Sequence, residues 1–121
     1  MNNKILGNIG EDMAENYLNS ISYKVLTRNF SCRIGEIDII AIDKNTLTFI
    51  EVKARRSVRF GQPVEAITLK KKDKLRKTAQ YFLAKNTKYK SFSWRIDLIA
   101  LKLSKERRLE KIFHIKNILN G

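Results

Sequence analysis

The sequence predicts an α/β protein in which two helices flank a central mixed sheet, in the order α-β-β-β-α-β-β. Two observations favour this class. Apolar residues recur at helical spacing in two long segments, whereas shorter segments alternate apolar and polar residues as strands do. The 121 residues fit a single domain, 1–121, that is large enough to bury a core.

The chain shows no internal repeat, low-complexity segment or domain linker. Thr68 has the residue type of a helix N-cap, so the second helix is expected to start directly after it. The predicted elements are a helix at about 5–20, strands at 23–30, 35–41 and 49–53, a helix after the Thr68 cap to about 85, and strands at 93–103 and 109–115.

Two glycines, Gly7 and Gly10, interrupt the first helix. Each costs about 1 kcal/mol relative to alanine in a helix interior. They are therefore expected where another backbone or a ligand approaches the helix closely. Glu11 and Glu15 alone would indicate a solvated face, but the neighbouring glycines favour an inward direction for Glu11.

The stretch 35–53 carries acidic residues where strands normally carry apolar ones. A two-residue turn at 44–45 would fold it into a hairpin whose paired positions sum to 89, which sets Asp38 opposite Glu51 and Glu36 opposite Lys53. Opposed residues point to the same face with Cβ atoms roughly 5 Å apart. Two carboxylates at that spacing repel each other unless a cation or a proton lies between them. The hairpin is therefore a candidate functional site.

The same register assigns the apolar residues of the hairpin to faces. Strict alternation sends the four charged residues and two large apolar ones, Ile40 and Phe49, to one face. The opposite face is expected to hold Ile37, Ile39, Ile50 and Val52.

The chain is strongly basic, with 25 Lys and Arg against 12 Asp and Glu and a net charge of +13. Such an excess indicates a polyanionic partner, with a merely solvated basic surface as the alternative. Cations at the start of the second helix oppose its macrodipole, and contact with phosphates would account for them. The candidate nucleic-acid-binding residues are Arg55, Arg56 and Arg59 in the loop after Lys53, and Lys70, Lys71 and Lys74 on the helix.

Other classes are disfavoured. The amino terminus lacks the pattern of a signal peptide, and no apolar run is long enough to span a bilayer. The single cysteine, Cys32, excludes an internal disulfide and a cysteine-based zinc site. We therefore expect a cytoplasmic protein with no membrane partner and no small-molecule cofactor.

A pattern of short blocks runs through nearly the whole chain: Gly7–Glu11, Arg28–Phe30, Gly35–Asp38, Glu51–Arg55, Phe60–Ala66, Arg95–Asp97 and Asn117. With these blocks the chain resembles the PD-(D/E)xK nuclease superfamily, which has the restriction-endonuclease-like fold shared with Holliday junction resolvases. More closely, it resembles the YraN family of small bacterial proteins described as endonucleases. Departures from the family pattern occur at Ser22, Ser31 and 118–119, outside the acidic set.

The resemblance implies metal-assisted hydrolysis of phosphodiester bonds in DNA, including branched or junction DNA. Asp38 and Glu51 would hold Mg²⁺ or Mn²⁺, and Glu11 would be a third acidic ligand, directly or through water. Lys53 would orient a metal-activated water and stabilise the developing negative charge. The implied catalytic set is Glu11, Asp38, Glu51 and Lys53. Cutting of junctions would favour a homodimer that matches the symmetry of the substrate.

Two other functions remain open at this point. One is a non-catalytic nucleic-acid-binding module on the same fold, which would show salt-sensitive binding and no metal-dependent product. The other is an RNA-associated or ribosome-associated basic protein. The acidic set favours the nuclease over the binding module, because clustered carboxylates have no evident use in a protein that only binds phosphates. DNA is the expected partner in preference to RNA.

Three further charged residues have structural interpretations. Glu36 is expected to pair with Lys53 rather than to add a fourth carboxylate to the site. Asp97, on the fourth strand, is expected to pair with an arginine such as Arg28 or Arg95. His114 is far in sequence from the acidic set, and a structural role is expected for it.

Overall fold

The computed structural model describes residues 3–56 and 67–120, and these form the predicted order α-β-β-β-α-β-β. Two short 3₁₀ helices, at Thr87–Tyr89 and Ile118–Asn120, were not predicted. Neither α-helix in this part of the chain is long and apolar enough to cross a membrane. The main elements are α1 (Asn3–Ser20), β1 (Lys24–Ser31), β2 (Glu36–Asp43), β3 (Thr46–Arg55), α2 (Leu69–Lys85), β4 (Ser93–Leu103) and β5 (Leu109–Ile115).

The five strands form one mixed sheet in the order β1-β2-β3-β4-β5. β3 and β4 run parallel, and the other neighbouring strands are antiparallel. A parallel pair needs a long crossover connection, and here that connection contains α2. Thr68 caps α2 as predicted, since its hydroxyl oxygen accepts a hydrogen bond from the Lys71 backbone N–H at 3.1 Å.

Each face of the sheet buries an apolar core beneath one helix. Adjacent residues of a strand point to opposite faces, so β2 and β3 contribute to both cores. The result is an α/β restriction-endonuclease-like core, as predicted. The α1 core contains Ala14, Leu18, Ile39, Ala41, Ile50, Ile99 and Leu101. The α2 core contains Ile37, Ile40, Phe49, Leu75, Ala79, Phe82, Ile96 and Leu98.

The hairpin between β2 and β3 has the predicted register. Asp43 pairs with Thr46 and Ile39 pairs with Ile50, so the paired positions sum to 89. Lys44 in the turn adopts a left-handed conformation with φ of 57°. The β2–β3 pairing ends at Ile39 and Ile50, although β3 stays paired with β4 to Arg55. The two strands therefore part at the end of the sheet where β2 begins.

This parting corrects two expectations about the hairpin. The predicted cross-strand pairs of Asp38 and Glu36 lie beyond the last pair of the ladder. Ile37 packs in the α2 core, whereas Ile39 packs in the α1 core, so the prediction that they share a face was wrong. Asn29 of β1 lies between the residues that pair with Ile39 and Ile37, and it has a left-handed φ of 57°.

Gly10 brings α1 into close contact with β3. A Cβ atom at Gly10 would lie 2.7 Å from the Cβ atom of Ala54, closer than real Cβ atoms approach. Gly7 has no such neighbour within 4 Å, so close approach explains only one of the two glycines. The contact sets the next residue, Glu11, over the end of the sheet, and its residue exposure is 9%.

We predict opposite effects for alanine at the two glycines. Gly10→Ala should lower the free energy of unfolding by about 1–3 kcal/mol, because overpacking forces α1 away from β3. Gly7→Ala should raise it by up to about 1 kcal/mol, because alanine is the better helix former and meets open space. Urea unfolding followed by circular dichroism measures both. Equal effects of the two substitutions would contradict the close packing at Gly10.

Candidate functional site

The candidate site lies where β2 begins and β3 ends. The Asp38 carboxylate accepts a hydrogen bond at Oδ2 from the Val52 backbone N–H, at 2.8 Å. It thereby provides an acceptor for a β3 amide beyond the last β2–β3 pair. This hydrogen bond holds the Asp38 carboxylate at the end of the sheet where β2 and β3 part.

Asp38 and Glu51 come together there, although not as a directly opposed pair. Burial, together with the charge of Glu51 and a hydrogen bond between the two side chains, raises the pKa of Asp38 to about 7. The Val52 N–H and the Lys71 ammonium act in the opposite direction on this pKa. Glu51 is itself only 6% exposed. The predicted association of the two carboxylates is present, and it is electrostatically unfavourable.

Two lysines approach the Glu51 carboxylate. Lys53 Nζ lies 3.8 Å from Glu51 Oε2, and Lys71 Nζ of α2 lies 3.7 Å from the same oxygen. Among residues 3–56 and 67–120, Glu36 forms no ion pair with Lys53, so that predicted pair was wrong. The physical reason is the parting of β2 from β3, which removes the cross-strand contact.

Glu11 reaches the same region from α1. Its side chain is 12% exposed, and Arg28 Nη2 of β1 lies 3.4 Å from Glu11 Oε1. Burial and the charge of Asp38 raise the pKa of Glu11, while Arg28 and Asn29 oppose the rise. Arg28 also bonds two other carboxylates of α1, Asp12 at 2.7 Å and Glu15 at 3.2 Å. Arg28 therefore does not pair with Asp97.

Arg28 and Asn29 interact with Glu11, and the sequence predicted no role for them in the site. A signal was present in the sequence, because they form one of the blocks on which the resemblance to the YraN family is based. The left-handed backbone of Asn29 is a conformation that asparagine tolerates better than most residues. Asn29 faces Asp38 across β1 and β2, between the pairs Arg28–Ile39 and Phe30–Ile37.

The chemistry of the carboxylates fits a divalent metal ion. The half-buried Asp38 and the buried Glu51 are mutually repelling carboxylates and hard oxygen donors, and a cation between them would remove the repulsion. Within the described residues, no group of three or more Asp, Glu, His or Cys side chains is gathered closely enough to hold an ion. Glu11 is turned toward Arg28 and Asn29. The pair Asp38 and Glu51 is therefore the part of the predicted ligand set that is assembled.

The predicted nucleic-acid-binding residues differ in their relation to the site. Lys71 contacts Glu51 directly, whereas Lys70 and Lys74 are exposed on the first turns of α2. Arg55 and Arg56 are exposed where β3 ends, close in sequence to Lys53. Arg59 lies outside the described residues.

Asp97 belongs to a separate buried network on β4. Arg95 Nε donates to Asp97 Oδ1 at 3.0 Å, which agrees with the expected arginine pairing. His114 Nε2 lies 2.8 Å from Asp97 Oδ2 and its Nδ1 lies 2.9 Å from the Tyr17 hydroxyl. The Asn117 backbone N–H donates to Asp97 Oδ1 at 3.0 Å. The network ties α1, β4 and the carboxyl-terminal segment together, so His114 has the structural role expected of it.

The fold and the carboxylate pair define an α/β protein with a restriction-endonuclease-like core and an acidic site at one end of its sheet. The chain belongs to the uncharacterised protein family UPF0102, whose sequence profile matches residues 10–101. This confirms the resemblance to YraN-like proteins. The family description assigns no activity.

Relatives match over almost the whole chain. A UPF0102 protein of Caldanaerobacter subterraneus subsp. tengcongensis is 45% identical over 97% of this chain and 96% of its own length. One from Caldicellulosiruptor saccharolyticus is 43% identical over 97% of this chain and 98% of its own length. A Clostridium botulinum relative is 44% identical over 98% of this chain and 94% of its own length.

We predict that Asp38→Asn changes the pH dependence of stability. In the unfolded chain an aspartate ionises near pH 4, whereas folded Asp38 keeps its proton to about pH 7. The unfolded state therefore binds fewer protons between these values, and the free energy of unfolding falls as the pH rises through this window. The asparagine oxygen can still accept from the Val52 N–H.

The variant should lack this fall, so its stability relative to wild type should increase between about pH 4 and pH 7. In the pH range where Asp38 is protonated in the folded state and ionised in the unfolded state, the increase should be about 1.4 kcal/mol per pH unit. Urea unfolding without divalent metal at several pH values measures the difference. Glu106→Gln, in the exposed turn between β4 and β5, serves as a control and should follow wild type. A constant difference between Asp38→Asn and wild type across this range would contradict the raised pKa.

Proposed function

We propose that this protein is a divalent-metal-dependent endonuclease that hydrolyses phosphodiester bonds in DNA, including branched or junction DNA. The observation that carries the proposal is the pair of the half-buried Asp38 and the buried Glu51, with the Lys53 ammonium 3.8 Å from Glu51. A pair of carboxylates that repel each other in the free protein is suited to hold a cation. The net charge of +13 supports a polyanionic substrate.

In the proposed reaction, water adds to the phosphorus atom while the bond from phosphorus to one sugar oxygen breaks, which leaves a phosphate monoester and a hydroxyl. A divalent ion held by Asp38 and Glu51 would polarise the phosphate and lower the pKa of the attacking water. Lys53 donates hydrogen bonds to the oxygen on which negative charge develops. Glu11, kept in place by Arg28, contributes a third carboxylate directly or through water.

A specific observation also favours a second candidate, a non-catalytic nucleic-acid-binding module. Glu51 already has two ammonium groups, of Lys53 and Lys71, within 4 Å, so its charge is balanced without a metal ion. In such a module the lysines would contact phosphates, and their pairing with Glu51 would hold the two ammonium groups in place. This candidate predicts salt-dependent DNA binding without a product.

Cleavage assays separate the two candidates. With Mn²⁺ or Mg²⁺ we expect wild type to cut linear, flapped or four-way DNA, and we expect EDTA to abolish cutting. Asp38→Asn and Glu51→Gln should remove activity, and Lys53→Met should reduce it by about 100-fold or more, since it removes a charge that stabilises the transition state.

Glu106→Gln is the matched control, because it removes a carboxylate far in sequence from the site and should leave cleavage unchanged. Asp38→Asn protein purified in parallel reports any contaminating nuclease. If wild type cuts none of the three substrates, or if Asp38→Asn cuts as fast as wild type, the endonuclease proposal is wrong.

A further inference from the structure

A cleft beside the carboxylate pair is lined on one wall by α2 and on the other by the start of β2. It holds about 230 Å³, below the roughly 300 Å³ at which pockets for whole small molecules begin. A single phosphate with part of its nucleotide is of a suitable size. The lining residues are Gly35, Glu36, Lys71, Lys74, Leu75 and Thr78.

The α2 residues of the cleft follow helical spacing at positions 71, 74, 75 and 78, so they form one face of the helix. Lys72 and Arg76 line a different hollow together with Leu69, Asp73 and Leu119. Lys71 and Lys72 are therefore neighbours in sequence that lie on different faces. Both are half-buried, which makes them a matched pair for comparison.

The two faces differ in that an aspartate of the helix itself, Asp73, lies on the far face. On the far face, Asp73 pairs with Arg76 and also with Lys77 at 3.1 Å. On the cleft face, Lys71 shares Glu51 with Lys53, and Lys74 forms no ion pair with the described residues. Two ammonium groups three residues apart on one helix repel each other, and both oppose the dipole at its amino terminus. An anion in the cleft would relieve both effects.

Lys71 connects this cleft to the candidate active site. Its ammonium lies 3.7 Å from Glu51 Oε2, yet its side chain is 41% exposed. It can therefore contact the carboxylate and a ligand in the cleft from opposite sides. Glu36 lies on the opposite wall, where its single negative charge opposes a phosphate and the two ammonium groups of Lys71 and Lys74 outweigh it.

We propose that Lys71 and Lys74 form a subsite in this cleft for a backbone phosphate of the nucleic-acid strand, next to the Asp38–Glu51 pair. This inference rests on the proposed function for the identity of the strand. It assigns different roles to the basic residues of α2: Lys71 and Lys74 hold the strand beside the site, and Lys72 does not. A strand bound in the cleft passes along α2 toward Glu51.

Binding of a short labelled DNA duplex in EDTA, measured by fluorescence anisotropy at several salt concentrations, tests the subsite without catalysis. The slope of log K against log salt is negative, and the loss of one phosphate contact makes it shallower by about 0.9. We expect this change for Lys71→Gln and for Lys74→Gln, and an unchanged slope for Lys72→Gln. Lys71→Arg keeps the positive charge and should retain the wild-type slope.

Lys74→Gln is informative by itself, because Lys74 makes no described contact with Glu51 and its loss leaves the carboxylate pair intact. An unchanged slope for both Lys71→Gln and Lys74→Gln overturns the subsite. Equal losses for Lys71→Gln and Lys72→Gln also overturn it, since binding would then follow the general charge of the helix.

Failure of the subsite and failure of the proposed function give different results. If the slopes do not change while wild type cuts DNA with Mn²⁺ and Asp38→Asn does not, the subsite is wrong and the endonuclease proposal stands. If the slopes change as expected but no substrate is cut, the cleft binds phosphate on a non-catalytic protein.

Discussion

The hydrogen bond from the Val52 backbone N–H to the Asp38 carboxylate is the interaction on which the site depends. It forms just past the last β2–β3 pair, so a side chain satisfies an amide beyond the end of the ladder. The same bond holds Asp38 beside Glu51, and burial next to that second carboxylate raises the cost of ionising Asp38. A carboxylate pKa raised by burial and by a neighbouring carboxylate is characteristic of functional sites.

The helices complete the site from the two faces of the sheet. Gly10 lets α1 approach β3 closely, and Arg28 then holds Glu11 at the end of the sheet. From the other face, α2 directs Lys71 toward Glu51. The carboxylates of the site come from α1, β2 and β3, and the cations that pair with them come from β1, β3 and α2. The Asp97 network is separate and stabilises the packing of the carboxyl-terminal segment.

The order of elements, the bounds of β4 and β5 and the hairpin register could be predicted, because each depends on local spacing or on one short turn. The association of Asp38 with Glu51 followed from that register. The face of Ile37 and the partner of Lys53 could not be predicted, because both depend on where β2 and β3 part. Alternation assumes a continuous ladder, and nothing in the apolar pattern marks the left-handed backbone at Asn29.

The central claim is that Asp38 and Glu51 bind a divalent cation together. A crystal structure of the protein grown with Mn²⁺, with the ion located by its anomalous scattering, tests this claim most directly. We predict a peak at direct coordination distance, roughly 2 Å, from oxygens of both carboxylates. The claim would be contradicted if Mn²⁺ were bound only at other positions. It would also be contradicted if no ion were bound at saturating Mn²⁺ and the two carboxylates stayed in direct contact with each other.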